Sequence, residues 1–290
     1  MPAMSLTVRA IRLADAAQCG IVAYEAHQAV ASAHNFPPEH PSVEFSIGLF
    51  KTKVGDSKAF GILAEDDGHI LGSIFLNTFP DTPAAAIGPL TVLPSAEGGV
   101  GRRLMEAALK EARRRGVEQV RLVQSPSHLR SLALYAKSGF TVREPLVLVQ
   151  GKFPLGFSDD ETRVRPASPD DFAACHALCV RTHGFARHFE LSQAIRQQVA
   201  LVAERSDRIT GYVTGLGFLG HAVAETTRDL CALIGAAPRI FGLGFFVPVR
   251  NGDLLRWVLN AGLRVAWPAN LMTVGDYQEP AGAFLPSIAF

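Results

Sequence analysis

The sequence predicts an α/β fold laid down twice along 290 residues. Three observations carry that prediction. Short apolar runs alternate with amphipathic helical stretches. Residues 87 to 105, IGPLTVLPSAEGGVGRRLM, read as strand, glycine turn and helix start. Landmarks of the first half then recur in order in the second.

Taken in order, LTVRAIR from Leu6 alternates like a strand and leads through Asp15 into a helical stretch reaching about His34. NFPPEHPS, 35 to 42, is a loop by its prolines, and a second helix runs from about Val43 to Thr52. FGILAED and HILGSIFLNTF, joined at Asp66, Asp67 and Gly68, make a hairpin. A strand with Leu90 and Val92 stops at Pro94. In the helix beyond it, Val100, Leu104, Met105, Ala108, Leu109 and Ala112 share one face. Glu106 with Lys110, and Glu111 with Arg115, are i,i+4 pairs on the other, and Gly116 ends it. VEQVRLV is a further strand; Leu129, Leu132 and Tyr135 then line one side of a helix that stops at Gly139.

Glycines at a helix start let an anion approach unpaired N–H groups at the positive end of the helix dipole, so phosphate is the natural ligand. Two common phosphate loops are excluded. No Lys-Ser or Lys-Thr follows the glycines, and position 104 is Leu where a dinucleotide fingerprint needs its third glycine.

The formal charge of +1 and pI near 7.8 carry no nucleic-acid signature. Mean hydropathy is +0.17, yet the greasiest stretch, IFGLGFFVPV at 240 to 249, is too short to span a bilayer and reads as a buried strand. Arg9, Arg12 and Asp15 interrupt any apolar leader, so a soluble cytoplasmic protein without membrane contact is expected. Four cysteines do not make a disulfide framework. Cys175 and Cys179, near His176 and His183, lack zinc-knuckle spacing and read as core thiols rather than a metal site.

Val92, Pro94, Gly99 and Gly101, followed by Leu134, Tyr135, Gly139 and Phe140 on a later helix, resemble the GCN5-related N-acetyltransferases (GNAT) over roughly residues 6 to 150. That family carries V-x-P, a polar loop ending in G-x-G or G-x-A, and L-Y-x-x-x-G-F. The sequence departs from it at Ala96, where Gln or Arg is usual, in a loop one residue shorter, and at His128 and Ser131, commonly Asn and Ala. The resemblance implies a mixed, mostly antiparallel sheet flanked by helices, with acetyl-CoA as co-substrate and no metal. It implies an amine-bearing small molecule, or a peptide or protein, as acceptor. Carried over by position, it places Gly98, Gly99, Val100, Gly101, Arg102 and Arg103 around the pyrophosphate and His128 beside the phosphates. A backbone N–H at Val92 or Leu93 would polarise the thioester, and Tyr135 would be the general acid for the CoA thiolate. The general base is not legible; His27, His34, Glu39 and His40 lie in the region where the family forms its acceptor site. The other reading is a non-catalytic acyl-CoA-binding or regulatory module, motivated by the shortened loop.

GKFPLGFSDDE, 151 to 161, is the best linker, and the pattern restarts beyond it. Val8, Arg9, Asp15 and Cys19 match Val164, Arg165, Asp171 and Cys175 at an offset of 156. Leu132, Gly139 and Val142 match Leu255, Gly262 and Val265 at an offset of 123, so the second copy is 33 residues shorter between the landmarks. It has no glycine turn between GHAVAE and its helix, and Val258 stands at the tyrosine position. The expected division is a catalytic domain, 1–152, and a degenerate GNAT-like domain, 153–290. A homodimer stays open, with Trp257, Trp267 and the tail FLPSIAF as contacts, beside the reading that these complete their own core.

Overall fold

Asp67 and Gly68 both take positive φ, 46° and 79°, the backbone of a tight hairpin turn, and fold β2 (Ala59–Asp66) against β3 (His69–Thr78). The computed structural model describes residues 6–80, 82–96, 99–152 and 161–288. β1 (Thr7–Ala10) pairs with β2 and β4 (Ala84–Val92) with β3, all antiparallel. β5 (Gln119–Gln124) then pairs with β4 in parallel.

Alternation decides the two faces of this sheet. Ile62, Ile74, Leu76, Ala85, Val120 and Leu122 pack under α3 (Val100–Arg114), whose Val100, Leu104, Met105, Ala108 and Ala112 are buried, and under Tyr135 of α4 (Leu129–Lys137). Leu63 and Phe75 face the other way, onto Cys19, Val22 and Ala23 of α1 (Ala16–His34) and Phe50 of α2 (Val43–Gly55). Leu104 meets Gly72 from above: a methyl group at Gly72 would come within 3.2 Å of its Cδ1. That packing is why a leucine stands where a dinucleotide loop has glycine.

The second half repeats the plan: β7 (Arg163–Pro166), α5 (Phe172–His183), α6 (His188–Arg196), β8 (Leu201–Arg205), β9 (Arg208–Val213), β10 (Ala222–Ala224), α7 (Thr227–Ala236), β11 (Phe245–Pro248) and α8 (Gly252–Asn260). β7 to β10 form a second antiparallel sheet with the tail strand β13 (Ala283–Leu285). The greasy stretch at 240–249 is strand only over Phe245–Pro248; Gly242 and Gly244, at φ 70° and 129°, turn the chain before it.

The halves are joined by exchanged strands. β12 (Arg264–Gly275), from the second half, lies between β5 and β6 (Thr141–Gln150), and β6 lies between β12 and β11, giving the order β1-β2-β3-β4-β5-β12-β6-β11. The offset of 123 organises this ladder. Under it the Thr141–Thr273 pair becomes Gln150–Arg264, Pro145–Asn270 becomes Val147–Pro268, and Leu146–Ala269 maps onto itself. Likewise Leu122–Met272 becomes Phe245–Val149. A local two-fold therefore passes through the Leu146–Ala269 pair.

A second repeat is electrostatic. Arg9 binds Asp15 at 2.7 Å and Glu65 at 2.8 Å; Arg165 binds Asp171 at 2.7 Å and Glu204 at 2.5 Å. Each pins the start of its first helix to the second strand of its copy. Trp267 is 6% exposed among Leu146, Leu148 and Phe246, and Phe284 and Leu285 are buried, so these candidate contacts serve the interior. All four cysteines are buried, and among the described residues no group of three or more His, Cys, Asp or Glu gathers as a metal site. No helix among them is long and apolar enough to cross a membrane.

Candidate active site

β4 and β5 stay paired only from Ala84–Gln119 to Ala86–Arg121, and beyond that they part. On the far side of β4, Leu93 donates its N–H to the Leu71 carbonyl at 2.8 Å, and Thr91 sits opposite Ser73. Alternation along an antiparallel strand then turns the Val92 N–H toward the opening. The Leu93 N–H is already committed, so of the two backbone donors expected here Val92 alone faces the gap.

Beside this strand end begins α3. Gly99 is its N-cap at φ +78° and ψ 26°, a left-handed conformation that costs a side-chain-bearing residue about 1–2 kcal/mol. Arg103 gives its N–H to the Gly99 carbonyl at 3.1 Å, which leaves the N–H groups of Val100, Gly101 and Arg102 outside the helical ladder. A Cβ on Gly101 would meet Leu134 at 3.4 Å and Val92 at 3.7 Å, so the absent side chain lets β4, α3 and α4 converge. Arg102 and Arg103 are exposed, and the Arg102 guanidinium lies about 4 Å from where a Gly99 Cβ would be, adding charge to the dipole end of the helix. Gly98 lies outside the described residues.

Tyr135 is 9% exposed, with its ring in the apolar cluster beside Val92 and Val100 and 6.0 Å from Phe140. Its hydroxyl makes no hydrogen bond with a described residue, and burial pushes the phenol up to about 12. His128 precedes α4; burial first, then His34 and Arg130, lower its proton affinity. Its carbonyl accepts from Ser131 Oγ at 2.9 Å and from Gln124 Nε2 at 3.3 Å. The Gln124 Oε1 in turn accepts from Asn270 of β12 at 3.3 Å, a support from the second half that no local motif reveals.

α1 spans the opening. Its Cys19, Val22 and Ala23 share a cluster with Leu93 at the end of β4, and His34 at its C-terminus acts on His128. Between these points His27 stacks on His40 at 4.2 Å and brings Nδ1 to 3.7 Å from Glu39. Ser46 donates to the Gly20 carbonyl at 2.7 Å, so its oxygen accepts from His40 Nδ1, 2.8 Å away. The free lone pair of His40 is therefore on Nε2. Burial lowers both imidazoles to about 4 and raises the Glu39 carboxyl, although the Glu39 side chain keeps 39% of its surface. A crowded but accessible carboxylate lies in a recess.

Residues 24–140 match the acetyltransferase (GNAT) family. That match lies within the first half of the chain. A mycothiol acetyltransferase of Beutenbergia cavernae is 42% identical over 78 residues, which are 27% of this chain and 26% of that relative, so the match spans about a quarter of the relative's length. A protein of Pyrococcus horikoshii, provisionally described as an acetyltransferase, superposes with TM-score 0.71 at 17% identity over 100% of this chain and 97% of its own. A GCN5-related N-acetyltransferase from Sphaerobacter thermophilus does so at 0.62 and 17% identity, over 94% and 96%. At that identity the likeness concerns the fold, and it embraces the whole chain rather than residues 24–140 alone.

The second half lacks the counterpart of this opening. β10 occupies the place of β4, and its outer edge is paired with β13, Ala222 with Leu285 and Ala224 with Ala283. The tail strand thus closes the wedge that stays open between β4 and β5. Val258, at the tyrosine position, is fully buried.

Proposed function

We propose that this protein is an acetyl-CoA-dependent N-acetyltransferase, with one active site in residues 1–152 and a degenerate, supporting copy in 153–290. The observation that carries the reading is the parting of β4 and β5 at Ala86–Arg121 with the Val92 N–H turned into the gap. The GNAT match over 24–140 supports it.

The residues fit an acyl-CoA. The N–H groups of Val100, Gly101 and Arg102, with Gly99 bare beside them, suit a pyrophosphate, and the Arg102 side chain adds charge. Acetyl-CoA supplies an activated thioester. Val92 N–H is a fixed donor for the carbonyl oxygen, in place before the reaction begins. Tyr135 Oη, unpartnered and protonated across the neutral range, gives its proton to the departing sulfur. The acceptor attacks as the free amine after its ammonium proton passes to water. The second proton, shed by its nitrogen as the amide forms, returns through solvent to the Tyr135 phenolate. The recess of His27, Glu39 and His40 is the acceptor side. Its two imidazoles are neutral, so Glu39 is the charge that greets a cationic amine.

Release of free CoA thiol, followed with a panel of amines, tests this. Acceptor-dependent release above hydrolysis is expected for at least one amine. Tight acetyl-CoA binding with no transfer to any acceptor would make the protein an acyl-CoA-binding module instead.

A further inference from the structure

A second polar recess lies between the two copies, on the face of β5 away from α3, lined by Arg121, His183, Arg187, Leu271, Tyr277 and Phe284. Arg121 comes from a strand whose neighbours Val120 and Leu122 belong to the apolar core; it points the other way and is 5% exposed. Its guanidinium lies 4.6 Å from the centre of the Phe185 ring and 5.6 Å from that of Tyr277, and its Nε donates to Gln119. Arg187, 6% exposed, forks onto Glu190 and reaches Ser287 at 3.1 Å.

Two further groups line the same space without a hydrogen-bond partner among the described residues: Nδ1 of His183, a residue 7% exposed, and the sealed hydroxyl of Tyr277. Both can donate, His183 in the tautomer that carries its proton on Nδ1. Buried donors left unanswered cost stability. The surrounding charge is positive. Burial lowers Arg121 to about 10, and burial with Arg121 and Arg187 keeps His183 neutral. Of the neighbouring carboxylates, Glu190 is bound by Arg187. Glu144 engages Arg250 through Oε2 at 2.6 Å while its Oε1 has no partner among the described residues, and Glu279 lies 3.5 Å from Arg250 on the side of Tyr277. Two such donors beside the Arg121 guanidinium suit a compact acceptor carrying negative charge. The apolar walls of Phe185, Leu271 and Phe284 confine it to a small one.

We propose that this recess binds one small anion, a halide or a carboxylate no larger than formate, through Arg121, Arg187, His183 Nδ1–H and Tyr277 Oη–H. The site joins Arg121 of the first half to three side chains of the second, so its occupant ties the copies together independently of acyl transfer.

The thermal midpoint of the full chain, titrated with chloride, bromide or formate at an ionic strength held by a bulky sulfonate, reads this out. A saturable rise is expected, weakened about tenfold or more in Tyr277→Phe, which keeps the ring and removes one donor to the anion. A response to formate alone marks a carboxylate site, and a response to the halides alone a halide site. A crystal of the unaltered protein in bromide should show its anomalous peak within hydrogen-bonding reach of Tyr277 Oη and His183 Nδ1, which decides the matter even if the variant folds poorly. Equal responses in both proteins, or an ordered water in the recess with bromide excluded, overturns the proposal.

Discussion

Tyr135 has its ring in the core and its hydroxyl without a partner, a division expected of a proton donor rather than of a rim tyrosine anchored by a hydrogen bond. Replacing it with Phe should lower kcat by about 100-fold while leaving the melting temperature and the KM for acetyl-CoA near their original values. Turnover unchanged across good acceptors would remove it from the chemistry. Because the phenol is pushed up to about 12, no fall in rate between pH 6 and about 10 should trace to this residue. Gly99→Val should raise the KM for acetyl-CoA and cost about 1–2 kcal/mol of stability, since valine resists φ +78°. Both positions stand out in the sequence as candidates because a glycine turn at a helix start and a tyrosine one helix later are local patterns. The engagement of Leu93 by Leu71 was not, because it depends on the register between β3 and β4. Arg121 carried a faint signal, a charge in the middle of an apolar strand.

Among the elements, the matched networks at the start of each copy hold a helix to a strand. Asp171 is 6% exposed, and its bonds to Arg165 lower its carboxyl to about 2. A carboxylate whose folded value lies below its ordinary one stabilises the fold fully above about pH 4, and that contribution fades as pH falls through about 2. Arg165→Met should therefore destabilise the protein at pH 7 by about 1–3 kcal/mol, the arginine being partly exposed, and flatten the acid limb of stability below pH 4. Denaturant unfolding at pH 7 and pH 3 checks both. An unchanged acid limb would deny the network its role. The Arg9/Arg165 and Asp15/Asp171 correspondence was readable by offset; Glu65 and Glu204 were not, because they enter from another strand. Likewise only Phe245–Pro248 of 240–249 is strand, since Gly242 and Gly244 turn the chain before it.

For the molecule as a whole, strand exchange is the decisive feature. β12 covers an edge of both β5 and β6, and buries Leu271 and Met272 in doing so. Residues 1–152 made alone would expose those edges and should elute as aggregates or exchanged dimers, with monomeric behaviour restored by co-expressing 153–290. Monodisperse, monomeric 1–152 would contradict that. Sequence reading reached the duplication but not the exchange, because both strands are equally apolar and nothing in either names its neighbour. The closure of the second copy by β13 was equally hidden in a tail of seven residues. The opening between β4 and β5 in the first copy, closed in the second by β13, is where we propose that acyl-CoA binds. Calorimetric titration of the full chain with CoA tests it most directly. One site per chain is predicted, weakened at least tenfold when Gly101→Glu fills the convergence of β4, α3 and α4. Two sites per chain, or one site indifferent to that substitution, would contradict it.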